Sequence, residues 1–117
     1  KTFGPRIPAY GVWARHVKGL KLIGINFHLK NNDLRPAFVC EDGTDITLND
    51  WKLSETNGGE SIIRLEKVKG ATIKNISAKG TADSFVRAEE SDVKSIRLSG
   101  NKTPGIKNAL TTTAQAY

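Results

Sequence analysis

A nine-residue phrase occurs twice in this chain: VKGLKLIGI at Val17–Ile25 and VKGATIKNI at Val68–Ile76. Self-similarity at a fixed period is what a stack of near-identical structural units leaves in a sequence. Aligning on the phrase gives four copies. Leu20 maps to Ile46, Ala71 and Ile96 at steps of 26, 25 and 25, and Leu22 maps to Leu48, Ile73 and Leu98 at the same steps. Ile25 maps to Trp51, Ile76 and Asn101, the last being the polar exception. Between these apolar columns lies a polar one, Lys21, Thr47, Thr72 and Arg97. Alternation with period two is the pattern of a strand with one buried face, not of a helix.

The breaks recur as well. One column reads Gly19, Asp45, Gly70, Ser95 and another reads Gly24, Asp50, Asn75, Gly100. These residue types tolerate the left-handed or tight-turn backbone of a sharp bend, so each copy is expected to turn the same corners. An upstream strand repeats too: VWARHV from Val12 matches IRLEKV from Ile63, and SIIRLE from Ser61 matches SFVRAE from Ser84 at a step of 23. Its inward set is Val12 and Ala14, Phe38 and Cys40, Ile63 and Leu65, Val86 and Ala88.

Each copy thus holds about three short strands separated by corners, and stacking the copies buries one continuous apolar column. The expected fold is all-β: a right-handed parallel β-helix, a pectin-lyase-like solenoid of about four coils. A leucine-rich repeat would need a helix or an Asn-bearing consensus in every copy, and neither occurs. A single unit is expected, with residues 1–9 leading in, 10–100 forming the coils and 101–117 forming a C-terminal tail that folds across the open end. At the other end, the lead-in carries Pro5 and Pro8 and is too short to replace a coil, so contact with another copy or with preceding coils is expected there.

Composition narrows the function classes. Of 117 residues, 38% are hydrophobic and 26% charged, which fits a folded globular chain. No apolar run approaches the ~20 residues that span a bilayer. The sequence has no methionine, and the expectation is therefore a piece of a longer product. The net charge of +6 comes from lysines scattered singly, without a basic helix or an aromatic-rich motif, so no nucleic-acid partner is expected. Cys40, the single cysteine, lies in the apolar phrase AFVCED and reads as a small buried hydrophobe beside two acids. No spacing suggests a metal site, a nucleophilic triad or a phosphate loop, and neither cofactor nor metal is expected.

The outward face of the first strand carries the candidate site. One column reads Trp13, Val39, Arg64, Arg87 and the next reads Arg15, Glu41, Glu66, Glu89. Coils about 4.8 Å apart would align three glutamates in a ladder beside arginines. An aromatic platform with charged hydrogen-bonding groups suits sugar, and carboxylates one or two coils apart fall near the separations of glycoside hydrolysis. The simpler reading is a surface ion-pair lattice that offsets like charges in register. His16 sits at the strand end beside Asp42 and Lys67, and Arg35 lies in HLKNNDLRP, the longest polar connection. The substrate-binding candidates are therefore Trp13, Arg15, His16, Arg35, Glu41, Glu66, Arg64 and Arg87, with no catalytic residue among them.

Several phrases carry a resemblance. Pro8, Tyr10 and Gly11, the run from Arg15 to Gly19, and the run from Leu34 to Phe38 resemble the C-terminal coils of glycoside hydrolase family 28, the polygalacturonase-like proteins. The likeness covers roughly Phe3 to Leu53, and beyond that the period alone continues it. The resemblance implies a secreted or periplasmic β-helix whose intact parent hydrolyses pectic, anionic polysaccharide through clustered aspartates. Those aspartates sit in Asn-Thr-Asp and Asp-Asp motifs, with Gly-His-Gly and Arg-Ile-Lys nearby, and none of the four occurs here. The implied function is the C-terminal part of a polysaccharide hydrolase, inactive alone. The alternative is a non-catalytic carbohydrate-binding or structural β-helix module.

Overall fold

A computed structural model describes residues 12–28 and 36–112, with the backbone course alone given at 28 and at 54–60. Among the described residues six strands form one sheet: β1 Val12–Lys18, β2 Lys21–Ile23, β3 Asn26–His28, β4 Phe38–Glu89, β5 Ile96–Ser99 and β6 Ile106–Thr112, with a 3-10 turn at Val93–Ser95. β4 spans 52 residues, which would reach roughly 170 Å if straight, at about 3.3 Å per residue. The longest dimension of the molecule is 38 Å. β4 therefore bends repeatedly and runs through successive turns of a coil. Every strand pairing is parallel, and the whole is a parallel β-solenoid, as the period requires. No helix among the described residues is long and apolar enough to cross a membrane.

The pairing registers reproduce the sequence columns. Leu22 pairs with Leu48 and Lys21 with Thr47, while Ile73 pairs with Leu98 and Thr72 with Arg97. On the first strand Val12 pairs with Phe38, Trp13 with Val39 and Arg15 with Glu41. Leu48, Ile73, Phe38, Ile63, Leu65 and Val86 are fully buried and form the continuous core. Trp51 fills its centre with ring contacts to Phe27 and Phe38 at 5.5 and 5.8 Å between centroids, both edge-on. Its indole N–H donates to the Leu22 carbonyl at 2.9 Å, so the polar atom of this buried ring is satisfied.

The corners are left-handed. Gly19, Asp45 and Gly70 have φ of 72°, 56° and 82°, and Gly24, Asp50, Asn75 and Gly100 have 73°, 60°, 56° and 65°. A third corner column joins them: His16, Asp42, Lys67 and Glu90, with φ between 52° and 63°. Ser95 is the member that departs. The path from Lys67 to Asn75 is eight residues but from Glu90 to Gly100 it is ten, and the 3-10 turn Val93–Ser95 takes up the difference. Asn101, the polar member of an inward column, closes the same coil. Its Oδ1 accepts from the Ile76 N–H at 2.9 Å and its Nδ2 donates to the Ile73 carbonyl at 3.1 Å.

Two expectations change. Ile106–Thr112 does not lie across the open end: as β6 it pairs in parallel with 82–88, Val86 opposite Leu110, and continues the ladder by one more strand, while the rest of the expected tail, 113–117, lies outside the described residues. The reason is visible in the register, since Ile106 and Leu110 fall on Ala82 and Val86 and extend their inward columns. The second concerns Val39, assigned to an outward column; it is 1% exposed, whereas its pairing partner Trp13 is 39% exposed.

Candidate functional site

The first-strand face brings together most of the expected side chains. Arg15 Nε meets Glu41 Oε1 on the next coil at 3.1 Å. Arg64 donates from Nε to Glu66 Oε2 at 2.7 Å and from Nη2 to Glu89 Oε1 at 3.1 Å. Arg87 Nε donates to Glu89 Oε2 at 2.8 Å. Each glutamate of the ladder is thus met by at least one guanidinium, and the ion-pair lattice is the geometry realised. The hydrogen bond from Arg87, with Arg64 alongside, holds the Glu89 carboxyl below the ordinary glutamate range, against the opposing push of partial burial. A glycosidic general acid needs the reverse shift, so that it keeps its proton near neutral pH.

Trp13 is the exposed aromatic of this face, and the Arg15 guanidinium carbon stands 5.5 Å from its ring centroid. That distance lies within cation–π range, and the contact orients Arg15 between the ring and Glu41. His16 Nδ1 bonds Asp42 Oδ2 at 2.7 Å, both side chains exposed, at the left-handed corner that ends the strand. Arg35 and most of its loop lie outside the described residues. Cys40 faces the core. Burial first, and then Asp42 and Glu41, push its thiol up to about 11, which leaves it protonated and unreactive at neutral pH.

The second-strand face holds a feature that the strand pattern alone did not reveal. Lys21, Thr47, Thr72 and Arg97 line a groove of about 380 Å³ along the coil axis, with Asp45 and Gly70 on its edge. Its sequence signal is a column with cations at both ends, no acid within it and corner glycines beside it. Around the next corner, Lys52 and Lys102 flank Ser77 in a somewhat smaller hollow of about 330 Å³.

Fold and face together define a parallel β-solenoid with an arginine–glutamate lattice on one side and a hydroxyl-lined groove on the next. The chain matches no protein-family profile, no curated protein and no solved structure.

Proposed function

We propose that this chain is a non-catalytic stretch of a secreted or periplasmic polysaccharide-degrading β-helix protein of the family 28 type, and that its first-strand face docks the glycan. The observation that carries the reading is Trp13, exposed at 39% with Arg15 against its ring. A rigid aromatic plane beside a partly free guanidinium offers stacking to a sugar ring and a charge to an acidic substituent. The resemblance of the Phe3–Leu53 stretch supplies the substrate class, pectic polysaccharide. The arginine lattice argues for docking rather than cleavage, because it keeps the three carboxylates occupied by guanidinium groups.

Contact with preceding coils or a second copy belongs to the same proposal. The first-turn residues Leu22, Ile25 and Phe27 are only partly buried, whereas Leu48, Trp51 and Leu53, which follow them on the next turn, are fully buried. Titration of the chain with polygalacturonate and with a neutral glucan tests the docking. The expected result is saturable binding to the acidic polymer that Trp13→Ala weakens several-fold. Unaltered binding in that variant would remove the face from consideration.

A further inference from the structure

The sequence holds two Asn-x-Ser/Thr triplets, Asn75-Ile76-Ser77 and Asn101-Lys102-Thr103. Oligosaccharide transferases of secretory pathways read this triplet, and the bulky glycan they attach needs open surface in the folded chain. The fold treats the two asparagines oppositely. Asn75 is exposed, at the left-handed corner after the second strand, with φ of 56°. Its Nδ2 donates to Asn49 Oδ1 on the preceding coil at 3.0 Å. Asn101 belongs instead to the inward column of Ile25, Trp51 and Ile76, and its part-buried amide is held by the backbone of Ile73 and Ile76.

The corner accounts for an asparagine at 75, since few other residues adopt that bend cheaply. It does not account for Ser77. Two residues beyond the same corner the other coils carry Asn26, Lys52 and Lys102, and a hydroxyl follows only where the corner residue is asparagine. Asn75 and Ser77 also line one open hollow of about 330 Å³, together with Lys52, Ile76, Gly100 and Lys102. Gly100 leaves the wall beside Asn75 bare: a Cβ there would stand 2.7 Å from Asn75 Oδ1.

We propose that Asn75 is an N-glycosylation site, with its first sugar seated in this hollow, and that Asn101 is not one. The inference rests on the secreted compartment of the reading above and goes beyond it, to a covalent modification on a different face from Trp13. In the transfer, the bond from sugar C1 to the diphosphate of a polyprenyl-linked oligosaccharide breaks and C1 bonds to Asn75 Nδ2. One amide proton passes to a base of the transferase, and the lipid diphosphate leaves. An asparagine amide has two N–H donors, so the modified nitrogen keeps one for Asn49. The Lys52 and Lys102 ammonium groups are donors for the hydroxyl oxygens of the sugar. A sugar on Asn101 Nδ2 would have to enter the coil that this amide closes.

The full chain, directed through the secretory pathway of a eukaryotic cell, tests this by gel mobility before and after peptide N-glycosidase, with mass spectrometry to locate the site. The folded, secreted chain is expected to carry one glycan, on Asn75. Asn75→Gln and Ser77→Ala should each abolish the mobility shift, Ser77→Thr should keep it, and Asn101→Gln should leave it in place. Ser77→Ala spares both the corner residue and its hydrogen bond, so its circular dichroism spectrum should match that of the deglycosylated wild type. A secreted chain without glycan, a glycan on Asn101 of the folded fraction, or a shift that survives Ser77→Ala would each overturn the assignment. Titration of the same material with polygalacturonate keeps the two proposals apart: a glycosylated chain that ignores the polymer loses the docking face and retains this site, and a bare chain that binds it does the reverse.

Discussion

Arg64 and Glu89 lie 25 positions apart in the chain, yet their side chains meet at 3.1 Å, because they occupy successive coils. Glu89 is also held by Arg87 at 2.8 Å, so one carboxylate joins two guanidinium groups. Such a lattice has a defined response to acid. Glu89 binds its proton less tightly in the folded chain than in the unfolded one. The unfolded chain therefore takes up more protons as pH falls, and the stabilisation is complete above the ordinary glutamate value of about 4.3 and lost through the depressed folded value. Urea midpoints of the wild type and of Glu89→Gln should differ most near neutral pH and converge in acid. A gap that stays constant to low pH would mean that the ion pairs do not contribute through charge.

The core makes a graded prediction. Ile73 is fully buried, whereas Leu22, in the same kind of column on the first turn, is only partly covered. Ile73→Ala should cost about 2–5 kcal/mol, as large-to-small changes in packed cores do. Leu22→Ala should cost clearly less. Equal losses in denaturant titrations would mean that the first turn is as closed as the middle ones.

Opposite substitutions at the corners should act in opposite directions. Gly70 has φ of +82°, and a Cβ there would stand 2.8 Å from Asp45 Oδ1; Gly70→Ala should destabilise by at least about 1 kcal/mol. Lys67 has a side chain at φ of 56°. Lys67→Gly relieves about 1–2 kcal/mol of left-handed strain, offset in part by the greater freedom of glycine in the unfolded chain. A neutral to slightly raised melting temperature is expected, and a marked drop would show that the Lys67 side chain contributes contacts worth more than the strain.

Cys40 should resist alkylation. A thiol pushed up to about 11 and buried between coils is expected to react with iodoacetamide at pH 8 only after denaturant unfolds the chain. Rapid labelling of the folded protein would contradict the burial.

The glutamate ladder should not hydrolyse glycosides. The folded chain is expected to show no turnover of polygalacturonate or aryl glycosides, and Glu41→Gln, Glu66→Gln and Glu89→Gln should leave that baseline unchanged. Turnover abolished by any of the three would make the ladder a catalytic site.

The corners show how much of this fold the sequence carries. Columns of Gly, Asp and Asn announce a left-handed bend because few other residues adopt it cheaply, and those two columns were legible. The column His16, Asp42, Lys67, Glu90 was not, since histidine, lysine and glutamate have no such signature; the repeating stack imposes the bend on them. β6 was missed because residues 101–117 were expected to fold across the open end, although Ile106 and Leu110 continue the inward spacing. The lattice was legible from two in-register columns of opposite charge. The groove was not, because a column of Lys, Thr, Thr and Arg reads as ordinary solvent-facing surface until the corners beside it are seen to leave room.

The parallel stacking of β1 on β4 and of β4 on β6 also determines how the molecule bears load. Among the described residues, Val12 lies on the first turn of the stack and Thr112 on the last, and the hydrogen bonds between turns run along the line joining them. Tension applied through these ends pulls each rung in its own direction rather than sliding strand past strand. The rungs at the outermost turn then carry the force before those behind them, and the solenoid gives way by peeling, one turn after another. A pull directed along the strands would instead load a whole row of rungs in shear, so the same fold is compliant along its coil axis and stiff across it.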